Sequence, residues 1–508
     1  MIKRITTQYC YRTLLVLALC ACFMLLKSQF IYAATYYMPD NYSNLRAAMA
    51  AMSGGDTLII RDGTYTGDTN IIDTAHTPPT GSVGAYTTIR AENPGSVIID
   101  GEGARIPFFY MPGSRSSKYW HFDGIIFKNS SEHCVRLTKS DYVKFTRCGF
   151  VDAGDSYDGL STHTCGYLLA EDCYSWGNAR YHFHFYATDH SIMRRCVVRH
   201  DRGAYTFQVG FQVYASQYIE VQNCIVVDSD QTVHYGSPEQ LFAFKVPQDS
   251  SGDINFTGCI ALNNNLDGVL IQAGTSRWSN SVIWDTDSKA GVSIRSSSAV
   301  ALGHLTIGNI GTYGTTGDGV SKNITNSIFY NCDSVGLRNS SGSTTSDYNA
   351  LYANTADFSG VNDGTHDHCT ANSNAIDPID GSPGNGITSL KYLVRIESGS
   401  NLKGAASDGG DIGATILKRI GVSGTLWGNA GYNTTTSDNL WPWPYESNIR
   451  SKMAAYTGGG VNGARGFCAS GRTLTTYIWE YLGNTKPDNI IVDSAPPAAP
   501  TGVRITVQ

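Results

Sequence analysis

Charge is scarce in this chain. Asp, Glu, Lys and Arg make up 16% of its 508 residues, and the formal net charge is −6. A weakly and slightly acidic charged chain argues against a nucleic-acid partner. No CxxC pair and no Cys/His spacing suggests zinc. Beyond the N-terminus no apolar run is long enough to span a bilayer, so a transmembrane protein is excluded.

The single long apolar run, Leu14–Leu26, follows Lys3, Arg4 and Arg12 and precedes Ile31-Tyr32-Ala33-Ala34. At about 13 residues it is short for a membrane span, and residues 1–34 read as a secretory signal cut after Ala33 or Ala34. The expectation is a secreted protein, extracellular or periplasmic. Lipoprotein anchoring through Cys22 is the alternative, weakened by Cys20 just before it. Export normally invites disulfides. Here Cys148, Cys173, Cys196, Cys224 and Cys259 all fall at one position of a repeat. That predicts an interior stack of small apolar side chains.

The repeat itself is apolar, two residues on apolar, three further on Cys, small or apolar, and two further on apolar again. Instances include Trp120-Phe122-Ile125-Phe127, Val143-Phe145-Cys148-Phe150, Ile219-Val221-Cys224-Val226, Ile254-Phe256-Cys259-Ala261, Val300-Leu302-Leu305-Ile307 and a weaker Lys322-Ile324-Ser327-Phe329. A degenerate copy runs Ser276-Trp278-Ser281-Ile283. The third position advances by 22 to 35 residues. So short a period, with two-residue alternation inside it, predicts a solenoid of strands whose turns bury a core only against their neighbours. Upstream of each motif stands a triplet with apolar outer members: Val135-Arg-Leu137, Leu160-Ser-Thr162, Phe183-His-Phe185, Phe211-Gln-Val213, Phe244-Lys-Val246. Asp152, Asp228, Asn263, Asp285, Asn309 and Asn331 recur four residues past the third position, where left-handed corners suit Asn and Asp.

These repeats resemble the right-handed parallel β-helix superfamily, which includes pectate-lyase-like and alginate- or chondroitin-lyase-like secreted proteins. Asn44 through Tyr65, ending Asp-Gly-Thr-Tyr, is similar to that superfamily's entry: a short capping helix, a Gly-Asp turn and a first strand. Gly399 through Gly413 resembles its last coil. The resemblance implies an all-β fold, a single right-handed parallel β-helix over 35–415. It does not select an activity, because the superfamily hosts lyases, hydrolases, epimerases and adhesins. Residues 416–490 break the repeat. Ile449, Met453 and Tyr456 share a helical face, and Thr475–Leu482 reads as a second short helix. We expect a small, partly helical C-terminal cap or docked segment there, and a Pro-rich tail over 491–508.

Middle members of the triplets point outward: Arg136, Ser161, His184, Gln212, Lys245, Leu270, Ser293. The next outward column reads Thr138, His163, Tyr186, Tyr214, Pro247, Gln272, Arg295. Long repeats add loops near 201–210 and 228–241 that would wall this face. A basic, aromatic, polar groove suits an acidic polysaccharide, bound by a monomer. β-Elimination on uronates would use Lys245 as base, Arg295 or Arg136 against the carboxylate, and Tyr214, Tyr186 or His184 as proton donor. His163, Gln212 and Gln272 complete the substrate-binding set with Arg136 and Tyr186. Asp152, Asp155 and Asp158 are the calcium candidates. Two readings compete with a polysaccharide lyase. One is a non-catalytic, glycan-binding adhesive solenoid. The other is a glycoside hydrolase, disfavoured because neither column holds a carboxylate. The cluster Arg194, Arg195, Arg199, His200, Asp201, Arg202 is read as anion-binding or as corner ion pairs.

Overall fold

The computed structural model describes residues 33–202, 208–229, 241–265, 267–286, 290–295, 299–319, 321–379, 390–488 and 490. The signal segment before residue 33, the tail from 491, and most of the two expected wall loops lie outside the described residues.

Each repeat forms one coil of three strands. Val143 and Phe145 lie on Ser140–Thr146, Phe150 on Gly149–Val151, and the triplet on Val135–Thr138. Motif strands gather into a long sheet of 23 strands, and the triplets into a single sheet of 11. Stacking is parallel, and motif positions superimpose: Phe122 on Phe145, then Ala170, Met193, Val221, Phe256, Trp278, Leu302 and Ile324. The degenerate copy at Trp278 is therefore a full coil. Alternation puts these side chains inside. Phe183, Phe211 and Phe244 stack there at 5.0 and 5.2 Å between ring centres. Each fully buried apolar side chain of this kind contributes about 1.5–3 kcal/mol.

Corners are set by left-handed residues. The polar column holds φ of 54° at Asp152, 53° at Asp228, 52° at Asn263 and 50° at Asp285, as Asn and Asp allow. A second corner, between the two motif strands, uses Arg147, Asp172, Arg195 and Asn223 with φ of 49–54°. At the N-terminal end helix α1 (Leu45–Ala51) closes the core with Leu45, Ala48 and Met49; Asn44 caps it, accepting from Ala47 N at 2.9 Å.

All ten described cysteines are free and buried. The column Sγ atoms donate to interior carbonyls of the coil before, Cys196 to Ala170 O at 3.4 Å and Cys259 to Val221 O at 3.4 Å. Burial pushes the Cys259 thiol up to about 12. A thiol-disulfide reagent applied to a chain begun at Ala33 should therefore titrate none of these ten thiols before unfolding and all ten after it; rapid native labelling would contradict the stack.

One expectation changes. Among the described residues the last rung of the single sheet is Ala356–Ser359, and 399–413 adds no coil. Its polar turns find side-chain and backbone partners on the coil's flank instead: Ser407 N on Asn326 Oδ1 at 2.9 Å, and His304 on Asp411 O at 2.8 Å. The C-terminal segment is the docked one of the two forms expected, lying along the outer side of the long sheet. Its helices α2 (Glu446–Ala454) and α3 (Leu474–Trp479) bury Ile449, Met453, Ile478 and Trp479 against Trp176, Val197, Ile225 and Leu262. Tyrosines from it reach the polar corners: Tyr456 to Asp152 at 2.6 Å, Tyr477 to Asp228 at 2.6 Å, Tyr481 to Asp285 at 2.5 Å.

The arginine cluster belongs to that contact. Arg194 donates to Val422 O (2.9 Å) and Tyr432 O (2.8 Å), and Arg199 to Gly463 O (2.8 Å). Arg195 pairs with Glu171 and, at 2.6 Å, Asp172. All three guanidinium groups are fully buried. They hold the flank and present no open anion site; the side chain of Arg202 lies outside the described set.

Candidate active site

With the long sheet covered by the C-terminal segment, the outer face of the single sheet is where chemistry can meet solvent. Ladder register stacks Arg136, Ser161, His184, Gln212, Lys245, Leu270 and Ser293 in one column. Thr138, His163, Tyr186 and Tyr214 stack beside it. Gln272 and Arg295 extend the same edge, their amides bonding Val246 O at 2.7 Å and Ile271 O at 2.8 Å. Tyr186 lies 4.3 Å from the His163 ring and stacks on Tyr214 at 5.0 Å. On the other side of the column runs an apolar strip of Tyr181, Val209 and Phe242, with Leu270 against it. The result is a polar floor between an aromatic edge and an apolar edge, parallel to the coil axis.

His184 is held from behind. Its Nδ1 donates to Asp158 Oδ2 at 2.9 Å. Asp158 is fully buried and also takes Arg180 Nε at 3.1 Å, while His133 Nδ1 accepts the Asp158 backbone N–H at 3.1 Å. Burial alone would raise the Asp158 carboxyl, but His184 and His133 hold it well below the usual range. Asp158 holds the Nδ1 edge of His184 and leaves Nε2 as the edge without a protein partner among the described residues, able to donate a proton only when the ring carries both. That Nε2 and Gln212 Oε1, on the next rung, are buried and have no hydrogen-bond partner among the described residues. Two adjacent unsatisfied atoms of this kind cost free energy until a ligand pairs them.

Lys245, half-buried on the rung after Gln212, has its pKa lowered by burial and, second, by Arg295. Its Nζ lies 5.7 Å from the Phe242 ring centre. Arg295 is exposed and Arg136 half-buried. Tyr214 donates to Asp249 at 2.5 Å, which pushes its pKa up to about 12. Its proton is thereby engaged, leaving Tyr186 and His184 as the nearer donors to the floor.

The calcium candidates do not converge. Asp152 takes Tyr456, Asp155 takes Asn178 Nδ2 at 3.1 Å, and Asp158 serves His184. Among the described residues no group of three His, Cys, Asp or Glu is placed to hold a metal. Asp158, His133, Arg180 and Tyr181 were not read as part of the groove from the sequence. Strict two-residue alternation sends His133, Asp158, Tyr181, Val209 and Phe242 inward with the outer members of the triplets; the ladder skips His182, Gly210 and Ala243, and Tyr181, Val209 and Phe242 form a cluster apart from the core.

Parallel coils wound this way define the class: the chain is a right-handed parallel β-helix protein. Within it, residues 111–239 match the family model described as a right handed beta helix region. No curated protein matches the chain. Among solved structures it is similar to pectate lyase Pel9A, at 15% identity over 76% of this chain and 96% of that one, with a TM-score of 0.44. An alginate lyase from Paenibacillus sp. str. FPU-7 matches at 10% identity over 65% of this chain and 99% of that one, TM-score 0.30. The catalytic unit of a GH87 alpha-1,3-glucanase from Streptomyces thermodiastaticus strain HF3-3 matches at 12% identity over 63% and 65%, TM-score 0.37. No helix among the described residues is long and apolar enough to cross a membrane.

Proposed function

We propose that this protein is a secreted polysaccharide lyase that cleaves an acidic polysaccharide by β-elimination in the groove on the single sheet. The observation that carries the reading is the Asp158-oriented His184, with an unpaired Nε2, two rungs from a Lys245 of lowered pKa. Elimination needs the uronate carboxylate neutralised, the C5 proton removed and the leaving oxygen protonated. Arg295 serves the first step, Lys245 the second, and Tyr186, or His184 with both ring nitrogens protonated, the third; Arg136, four rungs from Lys245, meets a sugar farther along the chain. Rungs repeat every ~4.8 Å, close to the length of one sugar ring, so successive sugars would meet successive rungs. The flanking edges supply ring-stacking surface. A hydrolase would need two carboxylates about 5–9.5 Å apart across the scissile bond. Asp158 and Asp267 share a column but stand four rungs apart, roughly 19 Å, and Asp158 is spent on His184 and Arg180.

Incubating the purified protein with alginate, pectate and glycosaminoglycans and following double-bond absorbance tests this directly. Absorbance should rise with one of the three. Reducing ends appearing without absorbance would replace lyase by hydrolase, and binding without either would leave an adhesive solenoid.

A further inference from the structure

At the corner opposite the single sheet, a shallow open pocket of about 570 Å³ lies between the coil and the C-terminal segment. Thr146, Arg147, Glu171 and Asp172 line it from the coil; Arg419, Ser423 and Tyr445 line it from the segment. None of these belongs to the groove. Two features suit it to a ligand. Tyr445 is 42% exposed and its side chain does not cap the helix it begins; its backbone is left-handed (φ 57°), as at Tyr119, Tyr142 and other corners of this chain. A bulky non-glycine residue in that conformation is strained, and such strain persists only where surrounding structure imposes it. Here Arg147 fixes the ring: Nη1 donates to the Tyr445 hydroxyl at 3.0 Å, and the guanidinium lies 5.4 Å from the ring centre. Arg147 is itself clamped by Asp123, through Nε at 2.7 Å and through Nη2. Second, Arg419 is anchored by Nε on Asn439 O at 3.0 Å; its terminal nitrogens make no hydrogen bond among the described residues, and its charge acts on the nearby Asp172 carboxyl, whose pKa burial raises and Arg195 and Arg419 offset in part.

The acids nearby are already matched: Asp172 by Arg195 at 2.6 Å, Glu171 by Arg195 and by Gly424 N at 2.7 Å. What faces the pocket is thus the Arg419 fork, a presented aromatic ring, two hydroxyls and two carboxylates already paired with Arg195. A fork of this shape pairs bidentately with a carboxylate, and a Tyr face takes a sugar ring.

We propose that this pocket is a second, non-catalytic glycan site that takes one uronate-bearing sugar, its ring on Tyr445 and its carboxylate on Arg419. The substrate class rests on the reading given above; the site does not share its residues. Occupied together with the groove, it would hold the protein on polymer between cleavage events.

The test is electrophoresis of the whole chain through gels containing pectate or alginate, with plain gel and dextran sulfate gel as references. The Lys245→Ala/His184→Ala variant serves as background, so that cleavage does not enter. That background should still be retarded by polyuronate. Adding Arg419→Ala should weaken the retardation by roughly ten- to a hundredfold in apparent affinity. Tyr445→Gly should do the same while Tm stays level or rises, because glycine relieves the strain. Cleavage of short oligosaccharides should be unchanged by either substitution in the otherwise native chain. Unaltered retardation in both variants, or equal loss on dextran sulfate, overturns the site. A Tm drop in Tyr445→Gly with binding intact makes Tyr445 a structural residue and overturns it as well. No polyuronate retardation of the background variant, with lyase activity present in the parent, refutes the second site alone; retardation that Arg419→Ala weakens, with no lyase activity in the parent, refutes the catalytic reading alone.

Discussion

Lys245→Ala and His184→Ala, made separately, are each expected to cut the rate of unsaturated-product release by ~10²–10⁴, the size of a general acid–base contribution. Neither substitution should unfold the protein. Lys245 is half-buried on the outer face, so its replacement should leave Tm near the parent. His184→Ala also takes a partner from the buried Asp158, so its Tm should fall while circular dichroism keeps the parent form; kcat should fall in both. The double variant should fall less than the product of the two, because base and donor act on one elimination. Full activity in Lys245→Ala would remove the base from the scheme. Full activity in His184→Ala would reduce the Asp158–His184 pair to a structural contact.

The pH profile separates these roles further. A lysine base must be neutral, so activity should rise as pH climbs through the Lys245 pKa. Burial, then Arg295, lowers that pKa. Arg295→Gln should move the rising limb to higher pH, toward the ordinary lysine value of ~10.4. It should also raise KM, since the same guanidinium faces the substrate carboxylate. A limb that stays in place would show that the titrating group is not Lys245.

Much of this architecture can be read in the residues. Spacing of the motif places Phe122 through Ile324 in one interior column and Arg136 through Ser293 in one outer column, because period-2 alternation and a short repeat leave no other register. Asp152 and its relatives are legible as corners for the same reason. Tertiary contacts across long sequence separations are not. Nothing local says that Asp158 turns back to His184, 26 residues on. Reading Asp152, Asp155 and Asp158 as a calcium loop followed their closeness in sequence, whereas the coil separates an outward corner from a buried carboxylate. Gly399–Gly413 looks like a coil because Gly-Asp turns recur in coils; without two-residue alternation it forms no strand, and Leu402 and Ile412 are buried in the flank cluster instead. Likewise, Arg194, Arg195 and Arg199 are surface-like by composition and buried by a segment more than 200 residues away.

Glu171→Ala should be the most destabilising single change on the flank, at ~3–5 kcal/mol. Glu171 is 2% exposed and lies between Arg195, which it bonds directly, and Arg194 at 3.5 Å, with Gly424 N on its other oxygen. Burial pushes its pKa up, and Arg195 and Arg194 more than offset that, leaving it below the usual value. Removing it strands two fully buried guanidinium groups with only Asp172, Gln222 and carbonyl oxygens to face. Because the folded pKa is the lower one, the stabilisation is complete above the unfolded value of ~4.3 and disappears as pH falls through the folded value. The parent should therefore lose Tm steeply in acid, and Glu171→Ala should show a shallower acid limb from a lower starting point. Limited proteolysis should cut the variant first between 415 and 435, where the contacts of Arg194 and Arg195 end. The coil itself, held by Phe183, Phe211 and Phe244, should survive that cut. A variant as stable as the parent at pH 7 would mean that the flank is held by its apolar contacts with Trp176 and Val197, and that the buried ion cluster sets position instead of strength.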